Sequence, residues 1–341
     1  MRVLVTGGGG YVGCHAIREL ADAGHEVIVY DNFCTGNRKL CDGFELIEGD
    51  IADIETLAPA LDCVEAVMHF AASAYVGESV ANPRKYFRNN VESALALMDA
   101  VLASKVRKFI FSSSCATYGV PNVLPITEDV SKDPINPYGA TKLFFERVLS
   151  AYSVSHGLGY VALRYFNAAG AHSSGLIGEV HDPETHIIPL ALKAVLRTAP
   201  PLRVFGNDLD TPDGTCVRDF VHVSDLGEAH VLALEYLADG GRSLSLNLGT
   251  GEGTSIKTLI GTIRRLTGLD VPHEFAPART GDPPSLYADP SKAKEILGWV
   301  AKRDIEEIVS SAWKWQQKLD GTKGLPDHAR VEPGAPIGAK S

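Results

Sequence analysis

The chain has 341 residues, 45% of them hydrophobic and 22% charged, with a formal charge of −10 at neutral pH. That length and apolar fraction suit one wound α/β domain with a smaller second lobe, and they exclude a disordered chain. The negative charge is spread rather than blocked, which argues against nucleic acid and anionic lipid surfaces as partners, and no apolar run approaches the roughly 20 residues of a membrane helix.

Residues 2–5 read as a first strand. Gly7, Gly10 and Gly13 follow it in G-x-x-G-x-x-G spacing, and a helical stretch then runs to a stop at Gly24. Glycines so placed remove Cβ atoms, letting the backbone turn tightly and approach a pyrophosphate at a helix N-terminus; a plain strand-to-helix turn is the alternative. The second strand, 26–30, leads into Asp31, about 20 residues downstream, which can accept from a ribose 2′-hydroxyl and would repel a 2′-phosphate. The pattern favours NAD over NADP. The third strand, 44–48, is followed by Asp50, which suits either an adenine amino group or a helix N-cap. The fourth, 66–70, ends at Phe70, Ala71 and Ala72, where backbone meets ligand at a topological switch point, although Phe70 also suits core packing. Asn82 and Pro83 then open a long helical stretch through 89–104.

The fifth strand, 108–112, runs into Ser112, Ser113 and Ser114. In PYGATK, Pro137 starts a helix on which Tyr138 and Lys142 are four residues apart and share a face. A nearby ammonium favours phenolate and would lower a phenol pKa of about 10, as a general base near neutrality requires. Tyr and Lys also occur at this spacing by chance. The serine-rich strand end and the glycine loop favour the chemical reading, with Ser114 donating to, or relaying a proton from, the reacting hydroxyl.

A sixth strand at 160–164 completes the alternation, which predicts an α/β chain with a Rossmann-type doubly wound parallel sheet over residues 1–170. Past residue 170 shorter pieces dense in Pro and Gly predict a smaller mixed C-terminal substrate lobe over 171–325, interleaved with the first domain. The chain returns to that domain around 216–250, because 216–223 and 245–248 read as buried strands with a helix opening at Ser224 and Asp225 between them. Residues 326–341 read as a mobile tail. The six cysteines, at 14, 34, 41, 63, 115 and 216, form no C-x-x-C and no zinc-type spacing with histidine. Free thiols, no metal and a cytoplasmic location are expected.

The segments TGGGGYVG, YDN, VGESV, FSSSCATYG, PYGATK, LRYFNAAGAH, FGNDLDTPDGTCVRDFVHV and NLGTGEGTS occur in order through about residue 319. Together they resemble the extended short-chain dehydrogenase/reductase family, and within it the branch that epimerises UDP-hexoses at carbon 4. The resemblance implies an isomerase of galactose metabolism that interconverts UDP-galactose and UDP-glucose by transient oxidation at carbon 4 through bound NAD. It implies a homodimer built on the helices around 89–104 and 138–156, whose apolar faces equally suit core packing. NAD contacts are implied at Gly7, Gly10, Tyr11, Val12, Asp31, Asn32, Asp50, Ile51, Phe70, Ala71, Asn89, Tyr138, Lys142 and Phe166, to which the residue reading adds Gly13 and Ala72. Ser114, Tyr138 and Lys142 would be catalytic.

On the substrate side the resemblance implies Asn167 at the diphosphate, Phe205 stacked on uracil, Arg218 and Arg279 on the pyrophosphate and Asp282 near the uridine ribose, with Ser114 and Tyr138 at the sugar. Guanidinium is independently the group suited to bidentate phosphate binding in an acidic chain. His186 stands near the uracil where other members have Asn, and either a structural role or a ligand contact fits it. Ala74 replaces a nicotinamide-side lysine of some relatives. Cys115 reads as packing, and Leu286 matches a position that narrows the sugar pocket. A nucleotide-sugar dehydratase would carry an Asp-Glu pair where Cys115 and Ala116 stand, and a non-catalytic NAD-binding relative would lose Tyr138 or Lys142. The nearer alternative is 4-epimerisation of UDP-xylose, UDP-glucuronate or UDP-N-acetylglucosamine.

Overall fold

Val3, Leu4, Val5, Ile28, Val29, Val67 and Met68 are all fully buried. Strands covered on both faces read as continuous apolar runs, and here they form one parallel sheet. The computed structural model describes residues 1–279 and 282–321, so the expected tail at 326–341 lies outside the described residues. The sheet comprises β1 (Arg2–Thr6), β2 (Glu26–Asp31), β3 (Glu45–Glu48), β4 (Ala66–His69), β5 (Lys108–Ser114), β6 (Gly159–Tyr165) and the later strand Leu244–Leu248. Its order is Leu244–Leu248, β6, β5, β4, β1, β2, β3, with every neighbour parallel. This is the doubly wound order, and it reverses between β1 and β4.

The period of two along each strand sorts the core into two layers. Val3 and Val5 face the helix Tyr11–Asp22 and the helix Val223–Ala238 through Ile17, Leu20, Leu226 and Leu234. Leu4 and Ile28 face the opposite layer, where Leu57, Leu97 and Leu149 come from the helices Ile54–Leu61, Ser93–Ala103 and Pro137–His156. A separate apolar cluster, including Ile188, Leu192, Val204, Leu259, Ile308 and Val309, forms the core of the C-terminal lobe.

Three local expectations are corrected. The stretch 216–223 is not one strand of the main sheet. It breaks at Asp219 into Val217–Arg218, which pairs with Thr254–Ser255 and Ser285–Leu286, and Phe220–His222, which pairs with Asn167–Ala169. The buried Asp219 carboxylate causes the break by accepting from the backbone N–H groups of Thr250 and Ala288. The following helix is capped by His222, whose side chain accepts from Ser224 N, rather than by Ser224 or Asp225. The long helix expected through 89–104 starts with a π-helical turn, Arg88–Glu92, before becoming regular at Ser93–Ala103. Such turns are rare and cluster at functional sites.

Candidate active site

The crevice lies at the C-terminal ends of β1, β2 and β4. Gly7 has φ +75°, and a Cβ there would overlap the backbone of Ala71 at the end of β4. A Cβ on Gly13 would overlap the Gly7 carbonyl. Both glycines are therefore required for the loop to sit this close to the sheet. Gly10 is the extended N-cap of the helix Tyr11–Asp22, with no side-chain cap and no acidic residue in the first turn. The N–H groups of Tyr11, Val12 and Gly13 are the helix's orphan donors, a ready site for an anion.

Asp31 receives Gly9 N on Oδ2 and Phe33 N on Oδ1, each at 2.8 Å. Burial pushes its pKa up while those two bonds oppose the rise, and each oxygen keeps a lone pair for a diol. Asn32 Nδ2 donates to Asp50 Oδ2 at 2.9 Å. Asp50 is not the helix cap: its Oδ1 accepts from Ala52 N, while Asp53 caps the helix Ile54–Leu61 by accepting from Glu55 N. A groove brings together Gly7, Gly10, Asp31, Asn32, Asp50, Ile51, Phe70, Ala71, Ala72 and Asn89. Glycine backbone, orphan N–H groups and a diol acceptor along one groove fit NAD. Cys34, Thr35, Gly36, Gly49 and Ser73 also line it. The sequence reading missed them, although their small size beside Asp31, Asp50 and Ala72 was the available signal.

Some of the expected residues also have packing roles. Tyr11 turns its hydroxyl to the Gly170 carbonyl at 2.6 Å, so its side chain ties the two halves of the chain together. Phe166 is buried with Tyr118, Ile126 and Ala288 in a cluster against which Cys115, the residue after Ser114, also packs. Phe70 does both things open to it: its ring packs 4.7 Å from His230 while the residue lines the groove.

Ser114 ends β5, and its Oγ accepts from Ala116 N at 3.1 Å, opening the short turn Cys115–Thr117. The helix Pro137–His156 begins with Asn136, which accepts from Gly139 N at 2.8 Å, and with Pro137 at its first position. A Cβ on Gly139 would overlap the Ala116 carbonyl. The glycine thus lets the helix press against the end of β5, bringing Tyr138 to the same end of the sheet as Ser114, whose side chain acts to lower the phenol's pKa. One turn on, Lys142 is 4% exposed and donates from Nζ to the Ser112 carbonyl at 2.6 Å. Below it Glu146 accepts from Ser113 Oγ at 2.5 Å and pairs with buried Arg164.

The electrostatics correct one expectation. Burial raises the Tyr138 pKa, with Tyr165 adding to the rise and Ser114 opposing it; Lys142 does not pull it below the usual phenol range. Burial also lowers Lys142 to about 7, against the raising effect of Glu146. The Lys142 ammonium is 5.8 Å from the Tyr138 ring centre, where a full charge would favour phenolate by about 3 kcal/mol at an effective dielectric near 20. An ammonium that is itself half-neutral at pH 7 supplies less, so burial wins.

On the lobe side, Arg218 bonds Asp282 Oδ1 at 2.8 Å and the Val217 carbonyl at 2.9 Å. Arg218 acts electrostatically to lower the pKa of the Cys115 thiol. Burial pushes that thiol up to about 12, against a nucleophilic role. Asn167 Nδ2 donates to the Asp219 carbonyl at 3.0 Å. The Arg279 guanidinium lies 3.8 Å over the Phe205 ring, so one face of the ring expected to stack on uracil carries a cation here. His186 precedes the helix Ile187–Val195 without capping it, and its Nδ1 lies 2.5 Å from Glu179 Oε1. Burial opposes charge on His186, but its hydrogen bonds to the Glu179 and Glu184 carboxylates hold its pKa up to about 10. Its imidazole faces these two carboxylates.

Comparison with known proteins accounts for this arrangement. Residues 3–249 match the model of the NAD dependent epimerase/dehydratase family. The chain is 48% identical to a UDP-glucose 4-epimerase of Rhizobium leguminosarum bv. trifolii over 318 residues, covering 93% of this chain and 97% of that one. It is similar to the crystal structure of UDP-glucose 4-epimerase from Brucella ovis in complex with NAD, with a TM-score of 0.90, 51% identity and coverage of 92% and 97%. It is also similar to the enzyme from Bifidobacterium longum in complex with NAD+ and UDP, with a TM-score of 0.88, 37% identity and coverage of 93% and 98%. The chain belongs to the NAD dependent epimerase/dehydratase family.

Proposed function

We propose that this chain interconverts UDP-galactose and UDP-glucose by inverting carbon 4. The observation that carries the reading is the helix of Tyr138 and Lys142, which Gly139 lets approach the end of β5 and which Lys142 pins to the Ser112 carbonyl beside Ser114, in a chain that also holds a dinucleotide groove. Relatives named UDP-glucose 4-epimerase that align with 93% or more of the chain at 46–48% identity support the substrate class. NAD supplies the two-electron acceptor for carbon 4 and, in its oxidised form, a positive charge.

In this reading Tyr138 accepts the proton of the sugar 4-hydroxyl and later returns it, with Ser114 holding the reacting oxygen. Lys142, pinned on the Ser112 carbonyl, orients the phenol and adds positive charge when protonated. Arg218 and Arg279 hold the diphosphate, Asn167 and Asp282 flank it, and Phe205 meets the uracil. A firmly held UDP leaves the 4-keto sugar free to present its other face, which inversion requires. Cys115 and Ala116 offer no carboxylate for the elimination a dehydratase would perform.

The same reading divides the chain into a cofactor-holding part, 1–170 with a return at 216–250, and a sugar-nucleotide lobe at 171–325. It places the protein in the cytoplasm as a homodimer. Half-exposed Phe87 and Phe144 line a groove with Val91, Ala140 and Leu143, rimmed by Lys132, Asp133 and Arg147, and all of these apolar residues but Phe87 lie on the expected helices, which supports that partner. No described helix is long and apolar enough to cross a membrane. The test is to incubate the purified protein separately with UDP-galactose, UDP-N-acetylglucosamine, UDP-xylose and UDP-glucuronate and resolve the 4-epimers by proton NMR. UDP-glucose should be the dominant product; turnover confined to another sugar would transfer the assignment to it.

A further inference from the structure

Glu179, His181, Glu184 and His186 fall within eight consecutive residues, in a loop that turns all four side chains toward one point. His181 Nδ1 lies 3.0 Å from Glu179 Oε1 and 3.8 Å from Glu184 Oε1. His186 Nδ1 lies 2.5 Å and 3.5 Å from the same two oxygens. All four ligand atoms are within 4.8 Å of one another. A tetrahedral ion with bonds of about 2.0–2.2 Å separates its ligand atoms by roughly 3.4 Å; the 3.0, 3.5 and 3.8 Å separations lie close to that value, and the 2.5 Å hydrogen-bond contact of His186 with Glu179 opens when an ion enters.

The loop is held around this point. The Glu179 and Glu184 side chains are only 6% and 5% exposed. Glu184 Oε1 is fixed further by the N–H groups of Thr185 and His186 at 2.8 and 2.9 Å. The Trp315 indole holds the Glu179 carbonyl at 2.8 Å. Metal ligands are oriented by second contacts of this kind.

We propose that Glu179, His181, Glu184 and His186 form a structural site for a divalent transition metal, with Zn2+ as the ion their chemistry suits. Two imidazoles and two carboxylates are the borderline donors such ions take, while calcium and magnesium would require six or more oxygens. The buried Glu179 and Glu184 carboxylates also neutralise the ion's charge, while His186, 48% exposed, leaves the site open to solvent on one side. The His181 ring stands edge-on to Tyr11 at 6.1 Å and Tyr75 at 5.7 Å. The ion therefore braces the loop against the glycine-loop helix and the segment after β4, just before the helix Ile187–Val195. The site goes beyond the epimerase reading and does not depend on it, and it replaces the expectation of a metal-free chain.

The experiment uses the full-length protein, stripped with a chelator and dialysed, and titrates it with Zn2+ by calorimetry. One equivalent should bind, raising the melting temperature, and the His181→Gln/Glu184→Gln double variant should bind on the order of 100-fold more weakly. Absence of saturable binding to the parent, or equal binding to a double variant shown folded by circular dichroism, overturns the proposal. Should the double variant not fold, Co2+ added to the stripped parent decides. Intense visible bands of four-coordinate nitrogen and oxygen ligation support the site, whereas thiolate charge-transfer bands or weak octahedral ones contradict it.

Discussion

Lys142 Nζ donates to the carbonyl oxygen of Ser112 at 2.6 Å, joining the helix that carries Tyr138 to the strand that ends in Ser114. The bond explains how a lysine only 4% exposed is tolerated, and burial leaves it titrating at about 7. Replacing it by Met removes both the anchor and the charge. Lys142→Met should lower turnover most at and below neutral pH, where the parent's Lys142 carries charge, and least at alkaline pH, where burial has already left that lysine neutral. A pH–rate profile checks this, and an unshifted profile would assign Lys142 to packing alone.

Gly139 carries a second prediction. Gly139→Ala places a methyl against the Ala116 carbonyl, pushing Tyr138 away from Ser114 while leaving the dinucleotide groove untouched. A displacement near 1 Å costs on the order of 10²-fold in rate. Turnover should fall by that amount while NAD recovered from the denatured protein stays at the parental level. Loss of both together would mean that the helix supports the whole cleft.

Much of this geometry was legible in the sequence. G-x-x-G-x-x-G before a helix, Asp31 at a strand end and PYGATK each demand a particular backbone, and the structure realises all three. What sequence could not show was competition for a side chain. Asp53 takes the helix cap that Asp50 could have taken, Arg279 takes a face of Phe205, and Glu179 takes His186. The Tyr138 pKa failed for a related reason: spacing places a cation near a phenol, whereas burial, which decides the sign here, depends on everything packed around both. The break at Asp219 was hidden because an apolar run reads the same whether it enters the main sheet or a small one.

Leu286 is half-buried, in register with Arg218, and packs on the cluster containing Tyr118 and Phe166. A branched side chain there narrows the space for a substituent on the sugar. UDP-N-acetylglucosamine should be turned over less well than UDP-glucose, and Leu286→Cys should raise its kcat/KM by roughly tenfold, the worth of a few methylenes. Comparable turnover of the two sugars by the parent would remove Leu286 as a gate.

Acid stability follows from the buried histidines. Burial lowers His15 and His69 to about 3 and His222 and His230 to about 4. Below pH 6.5 the unfolded chain takes up protons that the folded chain refuses until about pH 4, so stability is lost as pH falls through that window. His230→Phe keeps a ring beside Phe70 and removes one such site, whose Nε2 has no partner. Melting temperature should therefore depend less steeply on pH between 6.5 and 4 in the variant, and an unchanged slope would place the acid sensitivity in other groups.

Tyr138→Phe tests the account most directly, because it keeps the ring's packing and deletes only the oxygen assigned to the 4-hydroxyl proton. With UDP-galactose as substrate, turnover measured by proton NMR should fall on the order of 10²-fold or more, while circular dichroism, bound NAD and KM stay near parental values. Near-parental turnover in a folded, NAD-loaded Tyr138→Phe protein would contradict the account and assign the proton to another residue.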